Sequence, residues 1–242
     1  MPGLDPSGDE VVLPPDESHH LARVLRLHAE DDLIVFDGLG RAWRARLAVS
    51  DHRRSTVRLG NALPPDTEPR VPIVIVQAVL KGEGMDTAVR DVTMAGASRI
   101  VPVIAERSQV RLASLERSRA SQRWMRLAIA SAKQCGRARL PIIDPPRGLV
   151  EWLADPFDGI RLLLAEPGAS AGPPRGLRDV LPGRRSGAIA CIIGPEGGWT
   201  VDECQSSLDA GCIAVSLGTM TLRADAAGLV ALSLITFLTQ EI

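Results

Sequence analysis

The stretch that decides the fold is residues 189–203, which reads IACIIGPEGGWTVDE. Its first five residues are apolar, which predicts a short buried strand. Three glycines and one proline lie within Gly194–Gly198, and they predict a tight turn whose backbone a ligand can approach closely. Thr200 and Glu203 have the spacing of a capping box, so a helix is predicted to begin there. A strand, a glycine-rich loop and a capped helix in this order predict a ligand-binding loop at the end of a sheet.

A second loop follows about twenty residues later at Ser216–Ala227, SLGTMTLRADAA, and opens the final predicted helix. The first loop alone is ambiguous, because it is not GxGxxG and lacks the Lys and Ser/Thr of a phosphate-binding loop. A plain strand-to-helix turn is therefore the alternative for that loop. The pair of loops is the more specific pattern.

Composition limits the class of protein. The 242 residues are enough for one large domain or two small ones, and 45% of them are apolar. Only 3% are aromatic and none is Tyr, so the core has to consist mostly of Val, Leu, Ile and Ala. The net charge of −1 gives no sign of nucleic-acid binding by the chain as a whole.

The cysteines and the N-terminal residues favour a reduced, cytoplasmic protein. The four cysteines form no CxxC pair and have no His at ligand spacing. His19-His20 suggests a metal site, but adjacent residues of a helix point in different directions, so we expect no metal. Residues 1–13 lack the apolar core of a signal peptide, and no stretch approaches the ~20 apolar residues of a membrane span.

Residues 1–70 are predicted to form a small β-rich domain. Strands are predicted at 11–13, 32–36, 43–49 and 56–59, with a hairpin turn at 37–40. Residues 16–27 are predicted to form a helix with Leu21, Val24 and Leu25 on one face. The Pro-rich residues 63–69 have the composition of a linker.

Residues 71–242 are predicted to form a second domain in which strands and helices alternate. The predicted strands are 71–80, 100–104, 161–165, 189–193 and 214–216, and the main predicted helices are 85–95, 121–135 and 223–240. This alternation is typical of an α/β fold with a mostly parallel sheet. Residues 167–185 are predicted to be an extended surface loop with at most a short helix near Leu177.

Basic residues concentrate in one segment of the second domain. Residues 107–147 contain ten Arg or Lys and two acidic residues, a charge of +8, which leaves −9 for the rest of the chain. This asymmetry favours a polyanion-binding surface, and we interpret the segment as an RNA contact. For each single basic residue, the alternative is a solvated side chain that contacts no RNA. For Arg23 and Arg26 a phosphate contact and a solvated face are equally favoured. The candidate RNA contacts are Arg23, Arg26, Arg107, Arg123, Arg126 and Arg137.

Several segments in a fixed order resemble one known family. They are HHLARVLRL and VFDGLG near the N-terminus, LKGEGMD, IVPVIAERSQV and RWMRLAIASAKQCGRARLP in the middle, and the two loops IIGPEGGWTVDE and SLGTMTLRADAA. Together they resemble the ribosomal RNA small subunit methyltransferase E family, of the SPOUT class of RNA methyltransferases. The resemblance begins near Leu13 and covers almost the whole chain.

The resemblance implies a fold and a function. The fold is a C-terminal SPOUT-type α/β domain with a parallel sheet and a trefoil knot, preceded by a small PUA-like β-barrel that helps to hold RNA. The function is methylation of N3 of a specific uridine in 16S rRNA of the small ribosomal subunit, with S-adenosylmethionine as the methyl donor. The family also implies a homodimer, for which a two-fold symmetric pairing is expected.

The resemblance also implies which residues form the site. Leu217 and Leu222 are expected to sandwich adenine or to serve as plain core. Arg223 is the candidate catalytic residue, stabilising charge on the uracil ring; a structural ion pair with Asp225 or Glu196 is its alternative. Glu196 could accept the proton, although a carboxylate that caps backbone N–H groups is the favoured interpretation, and we assign no general base. The expected cofactor-binding residues are Leu164, Glu166, Ile193, Gly194, Pro195, Glu196, Gly197, Gly198, Leu217, Gly218 and Leu222.

One departure from the family pattern keeps two other functions open. Relatives usually read Leu-Arg-x-Glu-Thr-Ala where this chain has LRADAA at 222–227. The shorter Asp225 and the missing Thr hydroxyl could weaken a hydrogen bond in the site. The alternatives are a SPOUT methyltransferase with another RNA target, such as a ribose 2′-OH, and an RNA-binding or ribosome-assembly protein without catalysis.

Overall fold

A computed structural model of the chain describes residues 10–65, 68–165, 173–181 and 187–239. The chain divides into two compact units. The first consists of Met1–Thr67 together with Gly136–Leu140, and the second of Glu68–Cys135 and Pro141–Ile242. The sequence did not predict that a segment from the middle of the chain belongs to the first unit.

The first unit is built on a four-stranded antiparallel sheet in the order β1-β4-β3-β2. Its strands are β1 (Glu10–Val12), β2 (Asp32–Phe36), β3 (Ala42–Val49) and β4 (Thr56–Ala62). Along β3 the side chains of Trp43, Ala45 and Leu47 are buried while Arg44 and Arg46 are exposed. This alternation places one face of the sheet on a small core and the other in solvent.

The segment 136–140 joins the first unit at the turn between β2 and β3. The amide of Leu140 donates to the carbonyl of Gly38 at 2.9 Å, and the amide of Gly40 donates to the carbonyl of Ala138 at 3.2 Å. Arg139 forms a β-bridge with Gly38 and another with Leu39. The residues that follow the long basic helix of the second unit are therefore backbone partners of the predicted hairpin turn.

The helix predicted at residues 16–27 was wrong in part. The structure has a short α-helix, α1 (Pro15–His19), followed by a π-helix at His20–Leu25 and a left-handed residue at Arg26 with φ 55°. A π-helix has more residues per turn than an α-helix, so positions three apart no longer share a face. Leu21 is buried, whereas Val24 and Leu25 are 60% and 52% exposed. For the same reason Arg23 and Arg26 do not share a helical face.

The second unit contains an eight-stranded parallel sheet in the order β10-β12-β9-β11-β5-β6-β7, with β8 also paired to β6. The predicted parallel sheet is thereby confirmed. Each predicted strand overlaps an observed one, with bounds that differ by at most two residues. The strands are β5 (Ile73–Ala78), β6 (Arg99–Ile104), β7 (Ile142–Ile143), β8 (Arg147–Gly148), β9 (Gly159–Leu164), β10 (Arg175–Gly176), β11 (Ala188–Ile193) and β12 (Ile213–Ser216).

Helices cover both faces of this sheet. They are α2 (Gly84–Met94), α3 (Leu112–Arg117), α4 (Ala120–Cys135), α5 (Leu149–Ala154), α6 (Leu177–Val180), α7 (Val201–Asp209) and α8 (Ala224–Thr239). In β5, Ile73 and Ile75 belong to the core that α2, α4 and α8 share, while Val74 and Val76 belong to the core under α5 and α7. Strands buried on both faces explain why the sequence shows continuous apolar runs here.

The strand order brings the carboxyl ends of β9, β11 and β12 to one edge of the sheet. β9 lies between β11 and β12, and all three run in the same direction. The two loops singled out in the sequence follow β11 and β12, so they flank the end of β9. Among the described helices, none is both long and apolar enough to cross a lipid bilayer.

Candidate functional site

A cleft of about 760 Å³ opens at this edge of the sheet. Both glycine-containing loops contribute to its walls, as do Lys81 after β5 and Arg107 after β6. Of the predicted cofactor residues, Glu166 lies outside the described residues and Gly218 lies in the second loop without lining the cleft. The predicted cofactor-binding and catalytic residues that line the cleft are Leu164, Ile193, Gly194, Pro195, Glu196, Gly197, Gly198, Leu217, Leu222 and Arg223.

The first loop, residues 194–199, needs glycine for two separate reasons. The amide of Gly198 closes a turn on the carbonyl of Pro195 at 3.0 Å, and Gly198 has a left-handed φ of 68°. At Gly194 a Cβ would lie 3.1 Å from the indole of Trp199. The bare backbone at Gly194 therefore lets the Trp199 ring lie directly against the chain.

Trp199 holds the first loop to the neighbouring strand. Its indole Nε1 donates to the backbone carbonyl of Leu164, the last residue of β9, at 3.1 Å. No role was predicted for Trp199 from the sequence. The sequence did contain a signal, because Trp199 is the one aromatic residue in a loop that otherwise consists of Gly, Pro and Glu.

Glu203 makes the predicted capping box and one contact more. Its Oε2 accepts from the amide of Thr200 at 2.9 Å, and the hydroxyl of Thr200 accepts from the amide of Glu203 at 3.3 Å. Its Oε1 accepts from the amide of Glu106 at 2.8 Å. The carboxylate is buried, and it ties the start of α7 to the segment after β6.

Arg107, predicted as an RNA contact, lies against the first loop. Its Nη1 donates to the carbonyl of Gly197 at 3.0 Å and is 3.4 Å from the carbonyl of Trp199. A Cβ at Gly197 would lie 3.1 Å from the Cβ of Arg107, so the backbone of the loop approaches the segment after β6 closely there. The clustering of basic residues indicated an RNA contact for Arg107, but it gave no sign of these hydrogen bonds to the loop.

The second loop is shaped by Ser216. Its hydroxyl donates to the carbonyl of Gly218 at 2.7 Å and accepts from the amide of Gly218 at 3.2 Å. Leu217 packs on the core, and Leu222 is 37% exposed where it lines the cleft. The loop thus presents an apolar side chain to the cleft from a backbone that its own serine orders.

Arg223 forms the ion pair that the sequence analysis named as its alternative role. Its Nε and Nη2 donate to the two carboxylate oxygens of Asp225 at 3.1 and 2.8 Å. This hydrogen-bonded carboxylate raises the pKa of Arg223, so the guanidinium stays charged. The Arg223 side chain is 84% exposed and Asp225 only 14%, so the pair directs a fixed positive charge to the cleft mouth.

Glu196 caps a backbone amide, as favoured from the sequence. Its Oε1 accepts from the amide of Lys81 at 3.2 Å. The loop after β5 is thereby linked to the loop after β11. Both loops line the cleft.

The other predicted RNA contacts are distributed over both units. In the second unit, Arg123 of α4 pairs with Asp86, and Arg126 Nε donates to the carbonyl of Gln122 at 3.3 Å. In the first unit, Arg23 lies in the π-helix, Arg26 follows it, and Arg137 is buried with only 8% of its surface exposed. The burial of Arg137 leaves little of its side chain for a phosphate contact. Within the described ranges no group of three or more His, Cys, Asp or Glu is placed to hold a metal ion.

Two sequence models of known domains match the chain. One, described as an RNA methyltransferase domain, matches residues 67–236, and the other, described as an RNA methyltransferase PUA domain, matches residues 13–60. Together with the parallel sheet and the cleft at its edge, they define the protein as an RNA methyltransferase with an N-terminal PUA domain.

Relatives narrow this class. Ribosomal RNA small subunit methyltransferase E of Synechocystis is 31% identical over 96% of this chain and 74% of its own length. The protein of the same name from Mycobacterium bovis is 30% identical over 98% of this chain and 90% of its own. The chain belongs to the ribosomal RNA small subunit methyltransferase E family, as the sequence analysis predicted.

Solved structures agree with this assignment. Ribosomal RNA small subunit methyltransferase E of Neisseria gonorrhoeae, bound to S-adenosylmethionine, is similar with a TM-score of 0.87 and 32% identity, over 98% of this chain and 95% of that one. A Legionella pneumophila methyltransferase in complex with the same cofactor has a TM-score of 0.89 and 28% identity, with coverage of 98% and 95%.

Proposed function

We propose that the protein transfers a methyl group from S-adenosylmethionine to N3 of a specific uridine in 16S rRNA of the small ribosomal subunit. The observation that carries this proposal is the cleft between the two loops after β11 and β12, on a chain of this family. The names of the relatives and the cofactor bound in two similar structures support the reaction class.

The residues of the cleft fit this cofactor. Its volume of about 760 Å³ lies in the range of small-molecule sites. Leu217 and Leu222 offer apolar surface for a flat base, and the glycine backbone of the first loop permits the close approach of a ribose. We propose that Glu166, which follows the described end of β9, borders the same site.

The methyl donor supplies an activated methyl group on a sulfonium, so the protein needs no nucleophile of its own. The task of the chain is to hold donor and acceptor in line. In this proposal the two loops hold the donor. Each loop is ordered by an internal hydrogen bond, between Gly198 and Pro195 in the first and between Ser216 and Gly218 in the second. The acceptor has to approach from the mouth, where Arg223 is exposed.

Arg223 is our candidate for stabilising the reacting base. As the N3 proton of uracil leaves, negative charge develops on the ring carbonyls, and a fixed cation nearby lowers the energy of that state. A guanidinium has five N–H donors. Two of the N–H-bearing nitrogens face Asp225, and the rest of the exposed side chain is available to a substrate.

We propose that the basic segment 107–147 contacts the RNA and that the protein acts in the cytoplasm as a homodimer. Arg123 and Arg126 are exposed on α4, and in the first unit Arg23 and Arg26 are candidates for further phosphate contacts. Leu234 and Phe237 of α8 are 37% and 56% exposed, which suits an apolar pairing surface. We further propose that residues 189–227 form the trefoil knot expected for the SPOUT class.

Calorimetric titration with S-adenosylmethionine and S-adenosylhomocysteine tests the cofactor site. We expect binding to the native chain, and loss of binding in Leu222→Glu, which places a carboxylate on the cleft wall. Val150→Glu is the matched control, because Val150 is 64% exposed on α5 and does not line the cleft. Equal binding by both variants would place the cofactor elsewhere.

Methylation of purified 30S particles, followed by nuclease digestion and mass spectrometry, tests the target atom. We expect 3-methyluridine at one position of 16S rRNA. Ribose methylation would instead support the alternative RNA target. Cofactor-independent binding to 30S particles without any methylation would support the non-catalytic alternative.

A further inference from the structure

Two consecutive residues after β6 contact the first loop and the start of the helix that follows it. The guanidinium of Arg107 contacts the carbonyls of Gly197 and Trp199, and the amide of Glu106 donates to the carboxylate of Glu203. These contacts join residues about ninety positions apart in sequence. The loop that lines the cleft is therefore ordered by a segment that the charge pattern assigns to RNA binding.

The contacts fix two peptide planes of the loop, 197–198 and 199–200. A peptide group is planar, so holding its C=O and its N–H at once fixes the orientation of the whole unit. In the peptide 197–198, the carbonyl accepts from Arg107 and the amide of Gly198 donates to Pro195. In the peptide 199–200, the carbonyl faces Arg107 and the amide of Thr200 donates to Glu203.

This clamp sets the position of the Trp199 ring as well. With these two peptides fixed close to Trp199, the indole is directed to the carbonyl of Leu164 and lies against Gly194. Gly194, Gly197 and Gly198 would otherwise give the loop many conformations. A loop that is ordered before its ligand arrives avoids the cost of ordering it during binding, so its affinity for the ligand is higher.

We propose that Arg107 is a positioning residue for the cofactor loop: its guanidinium holds the carbonyls of Gly197 and Trp199 and thereby raises the affinity of the cleft for S-adenosylmethionine. The choice of this ligand rests on the proposed function, whereas the ordering of the loop does not. Arg107 also carries positive charge on the RNA-binding segment, so the test has to separate charge from geometry.

Arg107→Met and Arg111→Met form a matched pair for this separation. Both remove one positive charge from the same exposed segment, and Met keeps the aliphatic stem that packs near Gly197. Both variants should weaken RNA binding and its salt dependence similarly. Only Arg107→Met should weaken binding of S-adenosylmethionine in calorimetry, by roughly tenfold, the size expected for losing a hydrogen bond to a charged group.

Hydrogen exchange of the cofactor-free protein gives a readout that needs no ligand. Peptides that cover residues 194–200 should exchange faster in Arg107→Met than in the native chain or in Arg111→Met. Arg107→Lys keeps the charge but offers one ammonium group in place of the planar fork. Its affinity for the cofactor should lie between those of the native chain and Arg107→Met, and it replaces Arg107→Met if that variant fails to fold.

Native-like affinity in Arg107→Met, with unchanged exchange in the loop, would overturn the proposal. Equal weakening by Arg107→Met and Arg111→Met would also overturn it, since charge alone would then explain the effect. If the native chain itself bound no S-adenosylmethionine, the proposed function would fail, and the exchange experiment alone would decide whether Arg107 orders the loop.

Discussion

The indole nitrogen of Trp199 donates a hydrogen bond of 3.1 Å to the backbone carbonyl of Leu164, the last residue of β9. This bond links the loop after β11 to the end of the neighbouring strand. Both residues line the cleft. The Trp199 N–H therefore joins the Arg107 guanidinium as a side-chain donor that positions the loop.

Replacing that donor should affect ligand binding. Trp199→Phe keeps most of the ring and removes the N–H, which costs about 1 kcal/mol and should weaken S-adenosylmethionine binding about fivefold. Trp152→Phe is the control, because Trp152 is a buried residue of α5 that does not line the cleft. It should lower the melting temperature without changing the calorimetric affinity. Unchanged affinity in Trp199→Phe would show that the bond has no role in the site.

Arg223 and Asp225 can be separated by kinetics. Arg223→Gln should lower the rate of methylation of 30S particles about 100-fold while the affinity for S-adenosylmethionine stays close to native, since the side chain would act on the acceptor. Asp225→Asn removes the ion pair and leaves the guanidinium. A rate loss in Asp225→Asn as large as that in Arg223→Gln would favour a structural role for the pair.

Gly159 should tolerate no side chain. A Cβ there would lie 2.1 Å from the carbonyl oxygen of Ala188, its partner across the β9–β11 pairing. Gly159→Ala should lower the free energy of unfolding by about 3 kcal/mol, measured by urea denaturation. At Gly148 a Cβ would lie 3.9 Å from its nearest neighbouring atom, and the residue has an ordinary φ of −67°. Gly148→Ala should therefore change the free energy of unfolding by no more than about 1 kcal/mol. Similar effects for the two would contradict the close approach at Gly159.

The turn of the first unit should lose stability in acid. Burial alone would raise the pKa of Asp37, but hydrogen bonds from Arg41 and from the amides of Leu39 and Arg41 lower it below the ordinary value of 3.8. Because the pKa is lower in the folded chain, the stabilisation is complete above pH 3.8 and is lost as the pH falls through the folded-state pKa.

Asp37→Asn should therefore destabilise the protein most at neutral pH. Its deficit in the free energy of unfolding, compared with the native chain, should shrink as the pH falls below 3.8. Asp158→Asn, at an exposed position, serves as the control. A deficit that does not change with pH would show that the ionised carboxylate is not what stabilises the turn.

Cysteine labelling should follow burial. Burial raises the pKa of the Cys191 thiol to about 12 and that of Cys212 to about 11, and only the thiolate reacts readily. Cys135 is exposed at the end of α4. Mass spectrometry after brief iodoacetamide treatment should find Cys135 modified first, with Cys191 modified only after unfolding. Early modification of Cys191 would mean that β11 is accessible in the native protein.

Local patterns predicted much of this structure. The capping box of Thr200 and Glu203, the strand before it and the alternation of strands and helices in the second unit all follow from residues close together in sequence. The two loops carried enough signal to identify the family. The helix at 16–27 failed because the spacing of Leu21, Val24 and Leu25 fits an α-helix, and nothing local marks the wider π-turn.

Long-range contacts were missed for a physical reason. The hydrogen bond from Arg107 to Gly197 joins positions about ninety residues apart, and it depends on the order in which β6, β5 and β11 pair. An exposed arginine in a basic segment has the same sequence pattern whether it contacts a phosphate or a carbonyl. The role of Trp199 likewise appears only when β9 lies beside β11.

The position of residues 136–140 limits where the protein can be cut into separate domains. Because the backbones of Ala138 and Leu140 complete the turn at Gly38 and Gly40, a fragment that ends at the Pro-rich linker carries an incomplete first unit. A fragment that begins at the linker keeps residues 136–140 but lacks the turn to which Ala138 and Leu140 are hydrogen-bonded. Domain exchange between relatives would therefore succeed only if residues 136–140 travel with the N-terminal piece, or if both parents share the same sequence there.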